Sequence, residues 1–375
     1  MGRMRVLVTT SPGTGHVFPT LSFAQAVKAA GHDVLYAMAG NTGAVVGAGL
    51  HVADAAPGFD FGQVFVENLA LAQDGTVEGV LRLFAKVSEP VLDAVVAVGE
   101  QWRPDLVVHS PLQAAGPLLA AKLGVPAVCH NLSFAQLDDG FAQAFPVMSR
   151  ELAVHYDKHG VYSPPETSLT LSVTPPEVHP SGQDTWPMRY VPYNGGGLVP
   201  DWLLAPTRRR RVAVTLGTVL PMMAGLGALQ PFLAAAGEVD AEFVLALGDI
   251  DYATLGELPA NVRPVGYLPL GLLLAQCDAA IHHGGAGTTM TTADSGVPQL
   301  VLPHGADQFL NAEVVRRTGT GLQVAPADLS AELLNRLLSD VDMRNAARLM
   351  RDRLHAMPSP AQVVRGLAEL TSARG

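Results

Sequence analysis

Cysteine is scarce in this chain, since Cys129 and Cys277 are the only two among 375 residues. Each lies at or near the end of an apolar run, so we expect two buried thiols rather than a disulfide bridge or a metal site. Long hydrophobic runs are missing as well, and no apolar stretch is long enough to span a bilayer. The first residues run directly into an apolar strand that ends at Thr9, too early for an export signal. We therefore expect a cytoplasmic protein that does not bind a membrane.

Positive charge is also scarce. Lys and Arg number 24 against 34 Asp and Glu, which gives a formal net charge of -10. An acidic protein is a poor ligand for nucleic acid or an anionic membrane surface, so neither is an expected partner. The one basic cluster, Arg208 to Arg211, precedes a strand-like run, and we interpret it as a solvated domain edge. Hydrophobic residues make up 48%, enough for sizeable cores, and the length fits two domains better than one.

Strands and helices alternate in both halves of the chain. A strand at 6–8, a helix from about 17 to 30 and a strand at 34–38 predict the opening of a doubly wound α/β sheet. A punctuated stretch at 191–206 is the expected linker between two domains. The other predicted elements are a helix over 77–101, helical structure within 134–159, and strands at 105–109, 126–129, 212–216, 243–247, 279–281 and 299–302.

The most informative stretch is His-His-Gly-Gly-Ala-Gly-Thr-Thr at 282–289, between a predicted strand and a short predicted helix. The free N–H groups at a helix start attract anions, and glycines let a phosphate approach the backbone. Thr288 can add a hydroxyl donor, and His283 can add a ring N–H or, when protonated, a charge. The stretch has no Gly-Lys-Ser/Thr ending and lacks the spacing of the dinucleotide fingerprint, so it is neither of those phosphate sites.

A second polar group follows the next predicted strand. The run at 299–302 ends in Pro-His-Gly-Ala-Asp-Gln, so Asp307 and Gln308 are expected at the same carboxyl-end edge of a parallel sheet as the glycine turn. These side chains can hydrogen-bond hydroxyl groups while the turn holds phosphate. A ligand with a phosphate and a polyol is a nucleotide sugar.

Two segments carry a family resemblance. Residues 283–308, together with Pro-Gly-Thr-Gly-His at 12–16, resemble the signatures of nucleotide-sugar glycosyltransferases with the GT-B fold. The likeness covers nearly the whole chain and is nearest to bacterial antibiotic glycosyltransferases, in particular those that act on the enediyne calicheamicin. It implies two Rossmann-like doubly wound domains facing a cleft: an acceptor domain at 1–200, a donor domain at 207–357, and a final helix at 358–375 that crosses back to the first domain.

The resemblance also assigns donor contacts. Gly217 and Thr218, after the 212–216 strand, form a second glycine turn at the rim of the diphosphate site. Tyr267 stacks on the nucleobase and the backbone of Leu268 meets its edge. The diphosphate is contacted by His283, Gly285, Ala286, Gly287 and Thr288.

Thr291 departs from many relatives, which carry Glu there to bind both ribose hydroxyls. Threonine is too short for that bidentate grip. Its loss matters less for a deoxyribose, which lacks the 2′-hydroxyl, so the departure favours a dTDP-sugar over a UDP-sugar as co-substrate. No cofactor and no metal are expected, because a helix terminus already holds the phosphate, and we interpret Asp249 and Asp251 as solvated loop residues.

His16 is the candidate catalytic base, since a neutral imidazole accepts a proton near neutrality and the Gly15-His16 pair matches the family pattern. Relatives often orient this histidine with an Asp after the fourth strand, where this chain has Ser110. Either Ser110 orients His16 weakly, or a carboxylate from elsewhere does so, or the acceptor oxygen loses its proton easily. An apolar acceptor pocket in the first domain is expected from Phe59, Phe61, Phe65, Phe134, Phe145 and Met148.

These features predict an inverting glycosyltransferase that moves a deoxy or amino sugar from a dTDP-sugar to a hydroxyl of a polyketide aglycone of the enediyne type. Two alternatives remain open: a nucleotide-sugar 2-epimerase, which needs carboxylates near the sugar and no apolar pocket, and a non-catalytic nucleotide-sugar-binding helper of a partner transferase, which needs no base. The sequence does not decide the oligomeric state, and a homodimer is one open possibility.

Overall fold

The computed structural model describes residues 2–72, 76–134, 144–162, 167–180, 182, 184–205, 207, 209–217, 229–248, 250–305 and 307–372, without the side chains of residues 144, 145 and 372. Contacts divide the chain into two units. One comprises Met1–Val191 with Met357–Gly375, and the other Pro192–Ala356.

The first unit is built on a seven-stranded parallel sheet of order β3-β2-β1-β4-β5-β6-β7. Strands β1 and β4 pair in parallel, and the strand order reverses between them. Ligands of open α/β sheets bind beyond the carboxyl ends of strands at such a reversal. The strands are β1 Arg5–Thr9, β2 Asp33–Met38, β3 His51–Asp54, β4 Leu106–His109, β5 Ala127–His130, β6 Leu169–Ser172 and β7 Thr185–Pro187.

Helices connect these strands, and three of them differ from the sequence prediction. Helix α1 begins at Thr14 instead of residue 17, so His16 lies in its first turn and not in a loop. The helix expected over 77–101 is interrupted at Glu89–Val91, because Pro90 has no N–H to continue it. Phe61 and Phe65 lie on a short helix, not in an irregular segment. The helices are α1 Thr14–Ala29, α2 Thr42–Gly47, α3 Phe61–Asn68, α4 Val77–Ser88, α5 Leu92–Trp102, α6 Ala115–Leu123, α7 Ala144–Glu151 and α8 Ala153–Lys158.

The second unit repeats the design with a six-stranded parallel sheet of order β10-β9-β8-β11-β12-β13. Here the order reverses between β8 and β11, which pair in parallel with His282 opposite Thr215. The two glycine turns of the sequence follow these two strands and therefore lie side by side. The strands are β8 Arg211–Thr215, β9 Glu242–Ala246, β10 Val262–Val265, β11 Ala279–His282, β12 Gln299–Val301 and β13 Gly321–Gln323.

The helices of the second unit surround this sheet. Their apolar faces cover a core centred on Phe232, Phe243 and Leu300. The helices are α9 Asp201–Leu204, α10 Gln230–Ala236, α11 Leu270–Leu274, α12 Ala286–Ser295, α13 Gln308–Arg317, α14 Ala331–Ser339 and α15 Val341–Ala356.

The boundary between the units lies at the start of the stretch 191–206 that was predicted as the linker. The first unit ends at Val191 rather than at residue 200, because Asn194 hydrogen-bonds Tyr267 and Gly271 of the second unit. After α15 the chain returns to the first unit at Met357 and forms α16, Pro360–Ser372, which packs against α1.

Candidate active site

The start of helix α12 carries unsatisfied donors. Its N-cap, Gly285, has an extended backbone and offers no side-chain cap. Thr289, Thr291 and Thr292 each donate their hydroxyl to the C=O four residues earlier. Thr288 makes no such bond among the residues described here. Its hydroxyl and the N–H groups of Gly287 and Thr288 are therefore available to an anion, whereas the N–H of Ala286 bonds the Asp307 carboxyl.

His283 lies between two glycine backbones. A Cβ at Gly217 would overlap Cε1 of the ring, and a Cβ at Gly285 would overlap Nε2. Gly217 has a φ of +69°, a conformation that favours glycine. Because β8 and β11 are neighbours, both turns lie against the edge of the ring that carries Cε1 and Nε2. Thr218, the other residue predicted at this rim, lies outside the described part of the chain.

Burial fixes the charge state of His283. Desolvation, with smaller effects from His282 and His304, lowers the pKa of His283 to about 3. The ring is therefore neutral at pH 7. It can donate a ring N–H to a phosphate but does not carry a positive charge. Nδ1 is buried and has no hydrogen-bond partner in the described residues.

His282 supports the turn, a role that the sequence did not reveal. Its Nδ1 accepts the N–H of Gly284 at 3.0 Å, and its Nε2 lies 2.8 Å from Oε1 of Gln299 on β12. Since Nδ1 accepts, Nε2 carries the proton and donates to Gln299. Burial lowers the pKa of His282 to about 4, so this neutral form persists at pH 7.

Asp307 and Asn311 join the two polar motifs of the second unit. Asn311 donates Nδ2 both to the C=O of Gly284 at 3.0 Å and to Oδ2 of Asp307 at 3.2 Å. The N–H of Ala286 also bonds the Asp307 carboxyl. Burial outweighs these bonds and raises the pKa of Asp307 to about 6. Asn311 is fully buried on α13, and no local sequence pattern indicates its role.

Gln308 begins helix α13, and part of its hydrogen-bonding capacity serves the loop before it. Its Oε1 accepts the N–H of His304 at 2.8 Å. The amide nitrogen is not used in that bond, so Gln308 keeps donors for a sugar hydroxyl.

The hydroxyl of Tyr267 is held by a hydrogen bond, and its ring is partly exposed. Its hydroxyl donates to the C=O of Asn194, while the side chain remains 57% exposed, so a face of the ring can stack on a base. Leu268 packs its side chain against the apolar cluster around Leu273, so its side chain faces the interior of the unit.

His16 lies in an apolar setting in the first unit. Its ring tilts against Phe84 with centroids 5.4 Å apart, and Phe61 lies beside the adjacent Gly13. Burial lowers the pKa of His16 to about 4. Nδ1 is buried without a partner in the part of the chain that the structure describes. Phe84 of α4 was not among the residues that the sequence singled out.

Ser110, one of the alternatives considered for orienting His16, bonds a different partner in this structure. Its Oγ instead accepts the N–H of Ser11 at 3.3 Å, and its own N–H donates to the C=O of Thr9. The parallel pairing of β1 and β4 places Ser110 beside Ser11, before the turn that leads to the histidine. Within the described ranges, no hydrogen bond joins Ser110 to His16.

The predicted acceptor residues fall into separate groups. Phe134 and Met148 are buried inside the first unit, so they are core residues rather than an open surface. The rings of Phe61 and Phe65 on α3 contact each other at a tilt with centroids 5.5 Å apart, and Phe59 packs partly against the core. The side chain of Phe145 lies outside the described residues.

Neither a metal cluster nor a membrane helix is found in the residues that the structure describes. Asp251 caps the following turn by accepting the N–H of Ala253 at 3.0 Å, which is a structural role. Its neighbour Asp249 lies outside those residues.

Known proteins resemble this chain over its whole length. Models of the erythromycin biosynthesis protein CIII-like family match it at residues 25–217, for the N-terminal domain, and 230–370, for the C-terminal domain. L-demethylnoviosyl transferase of Streptomyces niveus is 39% identical over 381 residues, which cover 97% of this chain and 98% of that protein.

Two solved structures share the architecture. The glycosyltransferase SnogD of Streptomyces nogalater has 43% identity and a TM-score of 0.87, with 99% of this chain and 100% of that chain covered. The Streptomyces sp. SF2575 glycosyltransferase SsfS6, solved with thymidine diphosphate, has 30% identity and a TM-score of 0.83, with 98% and 100% covered. The two parallel sheets of this chain agree with that architecture. The chain belongs to the erythromycin biosynthesis protein CIII-like family and is a glycosyltransferase with two α/β domains of the GT-B type.

Proposed function

We propose that this glycosyltransferase moves a deoxy sugar from a dTDP-sugar to a hydroxyl of a polyketide-type antibiotic aglycone, with inversion at the anomeric carbon. The observation that carries the proposal is the start of α12, where free N–H groups, the Thr288 hydroxyl and the neutral His283 converge without a side-chain cap. Such donors stabilise the charge that develops on a leaving diphosphate.

The donor assignment rests on Thr291 and on one relative. Thr291 is fully buried and donates its hydroxyl to the C=O of Gly287 at 2.7 Å, so it is not available to grip ribose hydroxyls. A nucleotide without the 2′-hydroxyl loses nothing by that. SsfS6 was solved with thymidine diphosphate, which agrees with a dTDP donor here.

The chemistry is a single displacement. The neutral ring of His16 accepts the proton of the acceptor hydroxyl, whose oxygen forms a bond to the anomeric carbon. The bond from that carbon to the diphosphate oxygen breaks, and its electron pair leaves with dTDP. A ring with a pKa of about 4 is a weak base, so the proposal favours an acidic acceptor hydroxyl such as a phenol.

The enediyne acceptor inferred from the sequence stays a prediction, since the relatives reported above are not named for enediynes. Incubating the protein with dTDP and a glycosylated polyketide antibiotic tests the activity in reverse. Formation of a dTDP-sugar supports the transferase. Epimerisation of a nucleotide sugar without an acceptor would support the epimerase, and binding without turnover would support the helper protein.

A nucleotide screen tests the donor. At about 100 times its Kd, dTDP is expected to raise the Tm by roughly 5 °C, because the ligand binds the folded state only. UDP and GDP at the same concentration should raise it by less. Thermal denaturation followed by fluorescence provides the measurement, and a larger shift with UDP than with dTDP would contradict the donor assignment.

The raised pKa of Asp307 predicts a pH dependence of donor binding. Above about pH 6 this carboxyl is charged and repels a diphosphate next to α12, so dTDP affinity should rise, by about tenfold, as the pH falls from 7 to 5. Asp307→Asn should remove this part of the pH dependence. The titration of dTDP itself affects both proteins equally, so it cancels in the ratio of their dTDP affinities at each pH. Calorimetry at several pH values measures it, and equal pH profiles would contradict the prediction.

A further inference from the structure

Asn194 contacts several elements of the second unit at once. Its Oδ1 accepts the N–H of Gly271 at 2.9 Å, and its Nδ2 donates to Oγ1 of Thr291 at 3.4 Å. Its backbone C=O accepts the hydroxyl of Tyr267. Asn194 therefore bonds three places: the segment that begins at Tyr267 and is predicted to contact the nucleobase (the nucleobase segment), the start of α11 and the middle of α12.

Thr291 extends this connection toward the first turn of α12. Its Oγ1 donates to the C=O of Gly287 at 2.7 Å, one turn earlier. Gly271 lies close to both side chains, because a Cβ there would lie 3.1 Å from Oδ1 of Asn194 and 3.7 Å from Cγ2 of Thr291. The start of α11 is thus packed directly against α12.

The residue after Asn194 shows how closely this segment approaches Tyr267. Gly195 has a φ of +74°, and a Cβ there would lie 2.5 Å from the Tyr267 hydroxyl oxygen. A side chain at this position would push the segment away from the tyrosine and break the bond to Asn194.

We propose that Asn194 is a positioning residue that fixes the spacing between the nucleobase segment at Tyr267 and the diphosphate site at the start of α12. This inference rests on the proposed function, because it treats both places as parts of one dTDP site. A fixed spacing lets one ligand gain both contacts without first ordering the protein. The ligand that benefits is a nucleoside diphosphate, whereas inorganic pyrophosphate, which contacts only α12, does not.

The test compares dTDP and inorganic pyrophosphate binding to the full-length protein. Asn194→Ala removes both side-chain bonds, and Thr291→Val removes the hydroxyl from the other side of the same contact. Both are expected to weaken dTDP binding by about tenfold and to leave pyrophosphate binding unchanged. Calorimetry measures dTDP, and ligand-observed NMR measures the weaker pyrophosphate.

Two control variants separate positioning from general damage. Thr292→Val removes an equivalent bond in the same helix, from Thr292 Oγ1 to the C=O of Thr288 at 2.8 Å, but no contact with Asn194. Thr291→Ser keeps the hydroxyl. Both controls should bind dTDP like the unmodified protein, and thermal unfolding confirms that each variant is folded.

Two results would overturn the inference. In one, Asn194→Ala binds dTDP as tightly as the unmodified protein. In the other, the binding of dTDP and the binding of pyrophosphate weaken by the same factor, which means that the substitution has disturbed the start of α12 itself. The proposed function fails in a different way, when the unmodified protein binds no dTDP at all.

Discussion

Replacing His16 by alanine is expected to lower kcat by about 10³-fold, because a positioned general base contributes roughly that factor to proton transfer. The dissociation constant for dTDP should not change, since the donor residues belong to the other unit of the chain. Steady-state kinetics of sugar transfer to an aglycone, with calorimetry for dTDP, measure both quantities.

A matched control is His51→Ala, which removes an exposed histidine from the edge strand β3 of the same unit and should leave kcat unchanged. An unchanged rate for His16→Ala would contradict the base assignment.

The pH profile provides a second check on His16. Its burial lowers the pKa to about 4, and the ring acts as a base only when unprotonated. Protonation of His16 should therefore lower kcat/KM as the pH falls through about 4. This group should cause no change in kcat/KM between pH 5.5 and 8. An acid limb near pH 6.5 would show that the ring is solvated in the working enzyme.

The second large effect is expected at Gly285. A methyl group there overlaps Nε2 of His283, and the backbone of Gly217 lies against the same edge of the ring. Relief of this overlap displaces the ring or the turn from the position expected to hold the diphosphate, so Gly285→Ala should weaken dTDP binding by about 100-fold, which corresponds to about 3 kcal/mol of binding free energy. Calorimetric titration with dTDP measures the change.

Two further variants make this result specific. Gly305→Ala adds the same methyl group in the neighbouring loop, where no atom of the described residues beyond its chain neighbours lies within 4 Å, and should bind dTDP normally. The double variant Gly285→Ala with His283→Ala should bind dTDP no worse than His283→Ala alone, because the ring that causes the overlap is gone. Additive losses would contradict the overlap as the cause.

The sequence was informative where the signal is local. Apolar runs placed the inner strands β1, β4, β8 and β11, because strands buried on both faces leave few polar residues in the run. Strands β3, β6, β7, β10 and β13 were missed. Each has only three or four residues, and all except β6 lie at an edge of their sheet. Such short runs resemble loops in composition.

Contacts between distant segments could not be predicted in this way. Ser110 was one of the alternatives considered for orienting His16, and in the structure its Oγ accepts the N–H of Ser11 instead. It assigned no role to Asn311, although this one amide joins the turn at Gly284 to Asp307. Neither contact leaves a trace in local periodicity.

The sequence by itself determined the two α/β halves, the glycine turns and the chemistry they offer to a nucleotide sugar, because strand burial and helix-start geometry depend on neighbouring residues. Only the tertiary structure decided that His283 is neutral and held between Gly217 and Gly285, that the pKa of Asp307 is raised, and that Asn194 joins Tyr267 to α12. Desolvation and close packing depend on which strands pair, and that choice is made by the whole fold.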